Sequence, residues 1–455
     1  MKQYDVVIIG FGKGGKTLAS FLGKKGWNIA VVEKSKKMYG GTCINVACIP
    51  TKYLIHEAKK LQFRQNQEWE EKAKTYASVM ATKKEFIDKL RLGNYKKVNQ
   101  PNVAEVIDGF ASFVDEHTLS VEQENGVIQI NAETIIINTG ATPVLPDIIG
   151  IDNNPVVYTS ETLLNEERLP KTLSIIGGGY ISLEFASMYA DFGSKVRIFD
   201  RGDTFLPKED GDVAKAVRET LEKKGIEIHL QARSKKIEGD QLVIEFTNEG
   251  AEKNFQSDAI LLATGRKPNT DGLQLEKAGV KTGKRKEVVV DSQLRTSTPH
   301  IFAIGDVKGG PQFTYVSLDD YRIVADQLTG GKEYNQEKRG YLPYSVFIDP
   351  PLSRIGLTEK EAIDKNVNFD LFTLAAADIP RAKLVGETEG MLQVIVEKGS
   401  DEILGAALFC AESYEIINLI KYNMDTGDTY HTLKNQIYTH PSMTESLNYL
   451  FDELV

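Results

Sequence analysis

A glycine-rich turn between a short apolar strand and a helix occurs twice in this chain, and each copy is followed, at the same distance, by an acidic residue that ends a second strand. In the first copy Val6-Val7-Ile8-Ile9 runs into Gly10-Phe11-Gly12-Lys13-Gly14-Gly15, and the strand at residues 29–32 ends at Glu33, 33 − 10 = 23 positions after the first glycine. In the second, Leu173-Ser174-Ile175-Ile176 runs into Gly177-Gly178-Gly179-Tyr180-Ile181-Ser182, and residues 196–199 end at Asp200, 200 − 177 = 23 positions on. The spacing of Gly10, Gly12 and Gly15 lets a strand turn sharply, brings backbone N–H groups onto a pyrophosphate and packs helix against strand. The acid is placed to hydrogen-bond an adenosine ribose. Ser182 stands where the third glycine of the second copy would be, a small residue that the packing accepts. A single such turn is a weak signal; two with matched acids predict two Rossmann-like dinucleotide-binding domains in an α/β chain, and so two dinucleotides.

Each unit also closes alike. Ile135-Ile136-Ile137-Asn138-Thr139-Gly140 and Ile260-Leu261-Leu262-Ala263-Thr264-Gly265-Arg266 are apolar strands ending in Thr-Gly, and Ile301-Phe302-Ala303-Ile304-Gly305-Asp306 ends in Gly-Asp. Residues 61–97 read as a charged helical stretch with Trp69 and Phe86 as inward anchors, and 103–137 as strands broken by turns such as Glu124-Asn125-Gly126. From about Arg339 the pattern predicts short strands and two amphipathic helices, a third, α+β region, with Gly330-Gly331-Lys332 as the linker. The boundaries implied are 1–145 and 265–337 for the first unit, 146–264 for the second and 338–455 for the third.

Two of the three cysteines lie in Gly40-Gly41-Thr42-Cys43-Ile44-Asn45-Val46-Ala47-Cys48-Ile49-Pro50-Thr51-Lys52, with four residues between them. A helix starting near Cys48 would lower its thiol pKa through the unpaired N–H groups of the first turn. Gly40-Gly41 lets the backbone approach something flat or charged, and Lys52 adds a positive charge one turn on. Three cysteines in 455 residues make no structural disulfide framework. The pair reads as a redox-active dithiol. No metal is expected, because His56 is the sole further ligand nearby. Cys410, at the end of the apolar stretch 404–409, reads as a buried strand residue.

A net charge of −9 without a basic run excludes nucleic acid and anionic membrane as partners. The apolar stretch near the N-terminus is too short for a signal-peptide core, and no run approaches a membrane span, so a cytoplasmic enzyme is expected.

With His440-Pro441 and Glu445 near the C-terminus added to these motifs, the whole chain resembles the pyridine nucleotide-disulfide oxidoreductases. The resemblance implies a homodimer with FAD in the first unit, its flavin over the dithiol, and a nicotinamide nucleotide in the second. Gly10, Gly12, Gly15 and Glu33 would hold the ADP half of FAD and Asp306 the ribityl chain, with Lys34, Gly41, Thr42, Thr139, Gly140, Phe313 and Thr314 completing the site. Lys52 would lie beside the flavin with Glu184 as its ion-pair partner. Gly177, Gly179, Ser182, Asp200, Arg201 and Gly265 would hold NADH or NADPH, and Tyr180 matches the residue that covers the flavin until the nicotinamide displaces it. Cys48 would be the charge-transfer thiolate and Cys43 the thiol that attacks substrate. His440, oriented by Glu445, would serve the other subunit's site as acid and base.

The chain departs from the family pattern at Ala47, where glycine is more common, and at Tyr438, where dihydrolipoamide dehydrogenases carry histidine. It also lacks the C-terminal cysteine pair of mercuric reductase and of high-molecular-weight thioredoxin reductases. Residues 309–322, Pro350-Pro351-Leu352-Ser353-Arg354, Ile379-Pro380-Arg381-Ala382 and residues 439–445 resemble the bacterial reactive-chlorine-resistance flavoproteins, which are hypothiocyanous acid reductases. That implies reduction of a small-molecule oxidant, with a mercuric-type metal-ion reductase, a general disulfide reductase and a redox-sensing flavoprotein as alternatives. Phe313 and Tyr315 either pack beneath the flavin or line the substrate pocket. Asp200 favours NADH by repelling a 2′-phosphate, and Leu206 stands where NADPH-selective relatives carry arginine, whereas Arg201 pulls the other way.

Overall fold

The computed structural model describes residues 1–61, 67–331 and 333–452. Lys332 of the expected linker, part of the expected helical stretch after Leu61, and the last three residues lie outside them.

Two parallel sheets carry the two glycine-rich turns. In the first, the strand Lys2–Ile9 pairs with Ile29–Glu33 on one side and Gly126–Ile137 on the other, Glu105–Asp108 extends the first side, and Ile301–Ala303 returns from far along the chain to pair with Gly126–Ile137. The second repeats this plan: Thr172–Ile176 lies between Lys195–Phe199 and Ala259–Leu262, with Glu227–His229 and Val157–Thr159 outside. Each sheet is accompanied by an antiparallel three-stranded excursion, Phe110–Phe113 with Thr118–Gln123 and Gly126–Ile137 in the first unit and Ala232–Glu238 with Gln241–Phe246 and Ala251–Gln256 in the second.

The sequence dictates these sheets because strands covered on both faces need apolar residues at every position. Val7 and Ile9 enter one core cluster while Val6 and Ile8 enter another across the sheet, and all four are buried. Fully burying each such side chain stabilises the fold by about 1.5–3 kcal/mol. The register has a functional consequence. Ile9 pairs with Val32 and Ile137, and Ile137 with Ala303, so Gly10, Glu33, Asn138 and Ile304 all follow at the same carboxyl edge. Ile176 pairs with Phe199 and Leu262 in the second sheet, which sets Gly177, Asp200 and Ala263 at its carboxyl edge. In open parallel sheets ligands bind outside this edge.

The C-terminal region is an antiparallel sheet in the order Tyr344–Val346, Leu352–Gly356, Ile403–Phe409, Met391–Glu397, Phe369–Ala375. Among the described residues five α-helices accompany it rather than the two expected, and of these only Ser413–Thr426 exceeds six residues. The short ones escape a periodicity reading because one or two turns do not complete an amphipathic pattern. The helical stretch before the strands resolves into the end of Cys48–Leu61 and the long helix Trp69–Val98. Trp69 packs against the core as expected, but Phe86 is 39% exposed, its ring stacked on Tyr53 at 5.5 Å. Charges surround this helix on most sides, so its aromatic positions did not reveal which face turns inward.

Candidate active site

Cys43 lies in a single helical turn, Thr42–Asn45, and Cys48 begins the helix Cys48–Leu61. Both thiols are free and half-buried. Gly41 makes the turn with φ of +83°, and a Cβ there would stand 2.7 Å from the Cα of Gly12, so the dithiol segment lies backbone to backbone against the first glycine-rich turn. Asn45 fastens the segment from within: its amide donates to the carbonyls of Gly41 at 2.8 Å and Tyr39 at 3.1 Å, and its oxygen accepts from Arg91 Nε at 2.8 Å. Ala47 lies outside the positive-φ backbone, so the alanine is accommodated without strain, and its carbonyl accepts from Thr51 N–H at 3.1 Å.

The two sulfurs are electrostatically unlike. Cys48 is held below the ordinary thiol range by a hydrogen bond from the Cys43 thiol, by Thr314, whose Oγ1 lies 3.4 Å from the sulfur, and by the Lys52 charge. The direction is that expected for Cys48. Cys43 is pushed up, first by that same bond and then by burial. Lys16, which the sequence reading passed over, places a buried ammonium near Cys43. Its Nζ donates to Gly40 O at 3.0 Å and Asn94 Oδ1 at 2.7 Å, and burial lowers it to about 8.

Lys52 binds both oxygens of Glu184, at 2.8 and 2.7 Å, and lies 4.8 Å from the centre of the Phe347 ring. Glu184 also accepts from Phe347 N–H at 2.9 Å. The expected pair therefore exists and joins the dithiol helix to the helix Tyr180–Phe192 of the second unit.

At the first carboxyl edge the Glu33 carboxylate accepts from Phe11 N–H at 3.0 Å and Ser35 N–H at 3.1 Å, and burial raises its pKa. Gly15 N–H donates to Asn138 Oδ1 at 2.8 Å, and Asn138 Nδ2 donates to Ile304 O at 3.1 Å. Cβ atoms on Gly12 and Gly15 would stand 2.7 and 2.6 Å from that same oxygen. Asn138 is thus the peg on which the glycine turn hangs, a role its place before Thr139-Gly140 could have suggested. Thr139 and Gly140 are tied to Asn269, Thr42 lies beside Gly140, and Lys34 is exposed at the strand end. Burial raises the Asp306 pKa against the charges of Arg266 and Lys308. Phe313 precedes the helix Thr314–Leu328 and stacks on Tyr315 at 5.0 Å and on Tyr344 at 6.2 Å.

At the second edge a Cβ on Gly178 would stand 2.2 Å from Asp200 Oδ2, while Gly179 and Gly265 face open space. Arg201 is exposed, and Leu206 is buried with φ of +46°. Ser182 is buried at the third-glycine position. Tyr180, first in its helix, donates to Glu209 Oε1 at 2.5 Å.

Near the C-terminus His440 Nδ1 lies 2.8 Å from Glu445 Oε2, with the carboxylate buried and the imidazole 68% exposed. Tyr438 is anchored to Leu433 O at 3.0 Å. Cys410 is fully buried, as expected, just beyond its strand.

A family model described as pyridine nucleotide-disulphide oxidoreductase matches residues 4–320, and the model of that family's dimerisation domain matches residues 342–450. The chain belongs to the pyridine nucleotide-disulphide oxidoreductase family. It is therefore an enzyme of a family that binds FAD and depends on a pyridine nucleotide. This oxidoreductase is 45% identical over 452 residues to the probable pyridine nucleotide-disulfide oxidoreductase RclA of Escherichia coli (strain K12), covering 99% of each chain. It is 31% identical over 453 residues to the mercuric reductase of Streptomyces lividans, covering 98% of this chain and 94% of that one. A solved structure, the Cu(II) complex of the HOCl-induced flavoprotein disulfide reductase RclA from Escherichia coli, is similar with a TM-score of 0.93, 45% identity and 99% coverage of both chains. Among the described residues no helix is long and apolar enough to cross a membrane, and no group of three or more His, Cys, Asp or Glu side chains could hold a metal ion.

Proposed function

We propose that this enzyme uses NADH to reduce hypothiocyanous acid to thiocyanate through the Cys43–Cys48 pair. The observation that carries the reading is the placing of the two free thiols, held backbone to backbone against the first glycine-rich turn through Gly41, with Thr314 Oγ1 3.4 Å from the Cys48 sulfur. The full-length similarity to an HOCl-induced disulfide reductase supports an oxidant as substrate.

The first carboxyl edge fits FAD: the Gly10–Gly15 turn leaves no room for side chains against Asn138, Glu33 stands at the ribose position, and Gly41 brings the dithiol against the turn. When bound there, FAD supplies the two-electron link between the nicotinamide nucleotide and the sulfur pair. Gly12, Gly15, Thr42, Thr139, Gly140, Asp306, Phe313 and Thr314 would help hold it. The nucleotide belongs to the second edge, with Asp200 on its ribose and Gly177, Gly179 and Ser182 at its pyrophosphate. Asp200 favours NADH.

The sulfur chemistry then runs on this chain's residues. Cys43, deprotonated with the help of His440 from a second subunit, attacks the electrophilic sulfur of hypothiocyanous acid, and the oxygen leaves as water. Cys48 thiolate attacks Cys43, forming the disulfide and releasing thiocyanate. Two thiols and one hypothiocyanous acid thus give one disulfide, thiocyanate, water and a proton. Lys52 supplies positive charge beside the thiolate. A homodimer is supported by the match to the dimerisation domain and by Tyr422 and Ile437, 69% and 92% exposed on that region.

Hypothiocyanous acid should drive rapid NADH oxidation by the purified enzyme, and oxidised glutathione and lipoamide slow oxidation. Equal or faster turnover with either disulfide overturns the substrate. The Cu(II) complex of the similar protein favours a second reading, reduction of a thiophilic metal ion, which Cu(II) and Hg(II) in the same assay would reveal.

A further inference from the structure

The helix Thr314–Leu328 sends three side chains, spaced three residues apart, to three parts of the first unit. Thr314 Oγ1 lies 3.4 Å from the Cys48 sulfur, Ser317 Oγ accepts from Gly14 N–H at 3.1 Å, and Asp320 Oδ2 accepts from Gly305 N–H at 2.7 Å. Residues three apart are neighbours on a helix surface, so one side of this helix bears on the dithiol, the glycine-rich turn and the Gly305-Asp306 turn together. A Cβ on Gly14 would stand 2.5 Å from Ser317 O, and one on Gly305, whose φ is +73°, 2.9 Å from Ser317 Oγ.

Asp320 is the buried charge in this row, and its side chain has no exposed surface. Arg339 Nη2 donates to its Oδ1 at 2.7 Å, and Lys308 Nζ lies 3.5 Å from its Oδ2. Arg339 Nε lies 3.0 Å from Asp319 Oδ2, and the Tyr334 hydroxyl donates to Asp319 Oδ1 at 2.7 Å. Arg339 stands three residues before the segment that matches the dimerisation domain. Two residues on, Tyr341 N–H donates at 3.1 Å to Asp425, in the helix Ser413–Thr426 of the C-terminal region. The Asp320 carboxylate thus has one oxygen on the turn that leads into Asp306 and the other on the entry to the C-terminal region. Losing either partner leaves a buried charge short of compensation, so the turn and the entry are tied through it.

We infer that Asp320 is a positioning residue for the flavin nucleotide: anchored by Arg339 at the entry to the C-terminal region, it holds the Gly305-Asp306 turn in the shape that receives the ribityl chain. The inference rests on the reading that the first carboxyl edge takes FAD. Asparagine at 320 has one oxygen where the site uses two, so either Gly305 N–H or Arg339 meets an amide nitrogen. Glutamine at 339 leaves the carboxylate on the turn but removes its anchor.

A dilution series of the FAD-loaded enzyme, with released FAD read by its fluorescence, gives the FAD dissociation constant and tests this. The constant should rise about threefold to tenfold in both Asp320→Asn and Arg339→Gln, the ratio one hydrogen bond accounts for. Charge alone predicts opposite signs, because the first variant removes a negative and the second a positive charge near an anionic nucleotide. Lys224→Gln is the structural control: it breaks a 3.1 Å ion pair to Asp349, away from the turn, and its constant should stay at the wild-type value. If Asp320→Asn fails to fold, Arg339→Gln still decides. An unchanged constant in Arg339→Gln, a lowered one in Asp320→Asn, or an equal rise in Lys224→Gln overturns the positioning role. An unchanged constant in Glu33→Ala overturns the parent reading instead.

Discussion

Lys52 Nζ sits 2.8 and 2.7 Å from the two carboxylate oxygens of Glu184, joining the helix that starts with a redox cysteine to the helix that starts at the second glycine-rich turn. Glu184→Ala strands both the ammonium and the Phe347 N–H. Because Lys52 is partly exposed, the expected loss is about 1–3 kcal/mol rather than the larger figure for a fully buried pair, read from the urea midpoint. Glu184→Gln should recover part of it through an amide oxygen that still accepts from Phe347. Equal stability of wild type and Glu184→Ala would contradict the account.

The Thr314 hydroxyl donates to the Cys48 sulfur once that sulfur is a thiolate. A thiolate forms as pH rises, and groups that favour it move the midpoint down from the ordinary ~8.5. Thr314→Val should therefore move the midpoint of thiolate absorbance in the reduced protein upward. A downward shift or none would show that the hydroxyl does not act on the sulfur.

Gly178 has no space for a side chain beside Asp200. In Gly178→Ala the carboxylate must leave its position, and the KM for NADH should rise about tenfold, the value of one or two ribose hydrogen bonds, with FAD content unchanged. Asp200→Ala should raise the NADPH-to-NADH preference in kcat/KM.

The exposed His440 ring and its buried Glu445 partner predict complementation between subunits. Co-expressed Cys43→Ser and His440→Ala chains form mixed dimers in which one site has both wild-type residues, and these should show about half the wild-type turnover, as expected when each site of a two-fold dimer draws on both chains. Inactive mixed dimers would place His440 in its own subunit's site, and full turnover by the His440→Ala homodimer would place it outside catalysis.

Burial pushes the Cys410 thiol up to about 12. Alkylation of the native reduced protein should modify Cys43 and Cys48 and spare Cys410, which reacts only after denaturation. Mass spectrometry of the labelled peptides gives the answer directly.

The parts that sequence reading reached are those where chemistry and chain neighbourhood coincide. Gly10 and Glu33 are readable because one strand-turn-helix-strand passage fixes their registry, and the same holds for Gly177 and Asp200. Cys43, Cys48 and Lys52 lie in one short segment. Glu209, Tyr344 and Arg354 were not legible, since they meet across 135 to 145 residues of chain and nothing local marks a glutamate that will be buried by tyrosines. Lys16 and Asn138 were missed for a different reason: Asn138 stands within a quoted motif and Lys16 directly after one, but their partners, Gly15 and Asn94, come from elsewhere. The helix start at Cys48 was readable from sequence, whereas the Thr314 hydroxyl beside its sulfur comes from 266 residues further along the chain.

Gly41 rests on Gly12 with no side chain between them. The oxidisable loop and the phosphate-facing turn are consequently one mechanical piece, and what strains either is felt by the other. By reciprocity, whatever shift a dinucleotide at the turn imposes on the reduction potential of the sulfur pair through this contact is matched, on reduction of the pair, by the same factor in the hold on the dinucleotide.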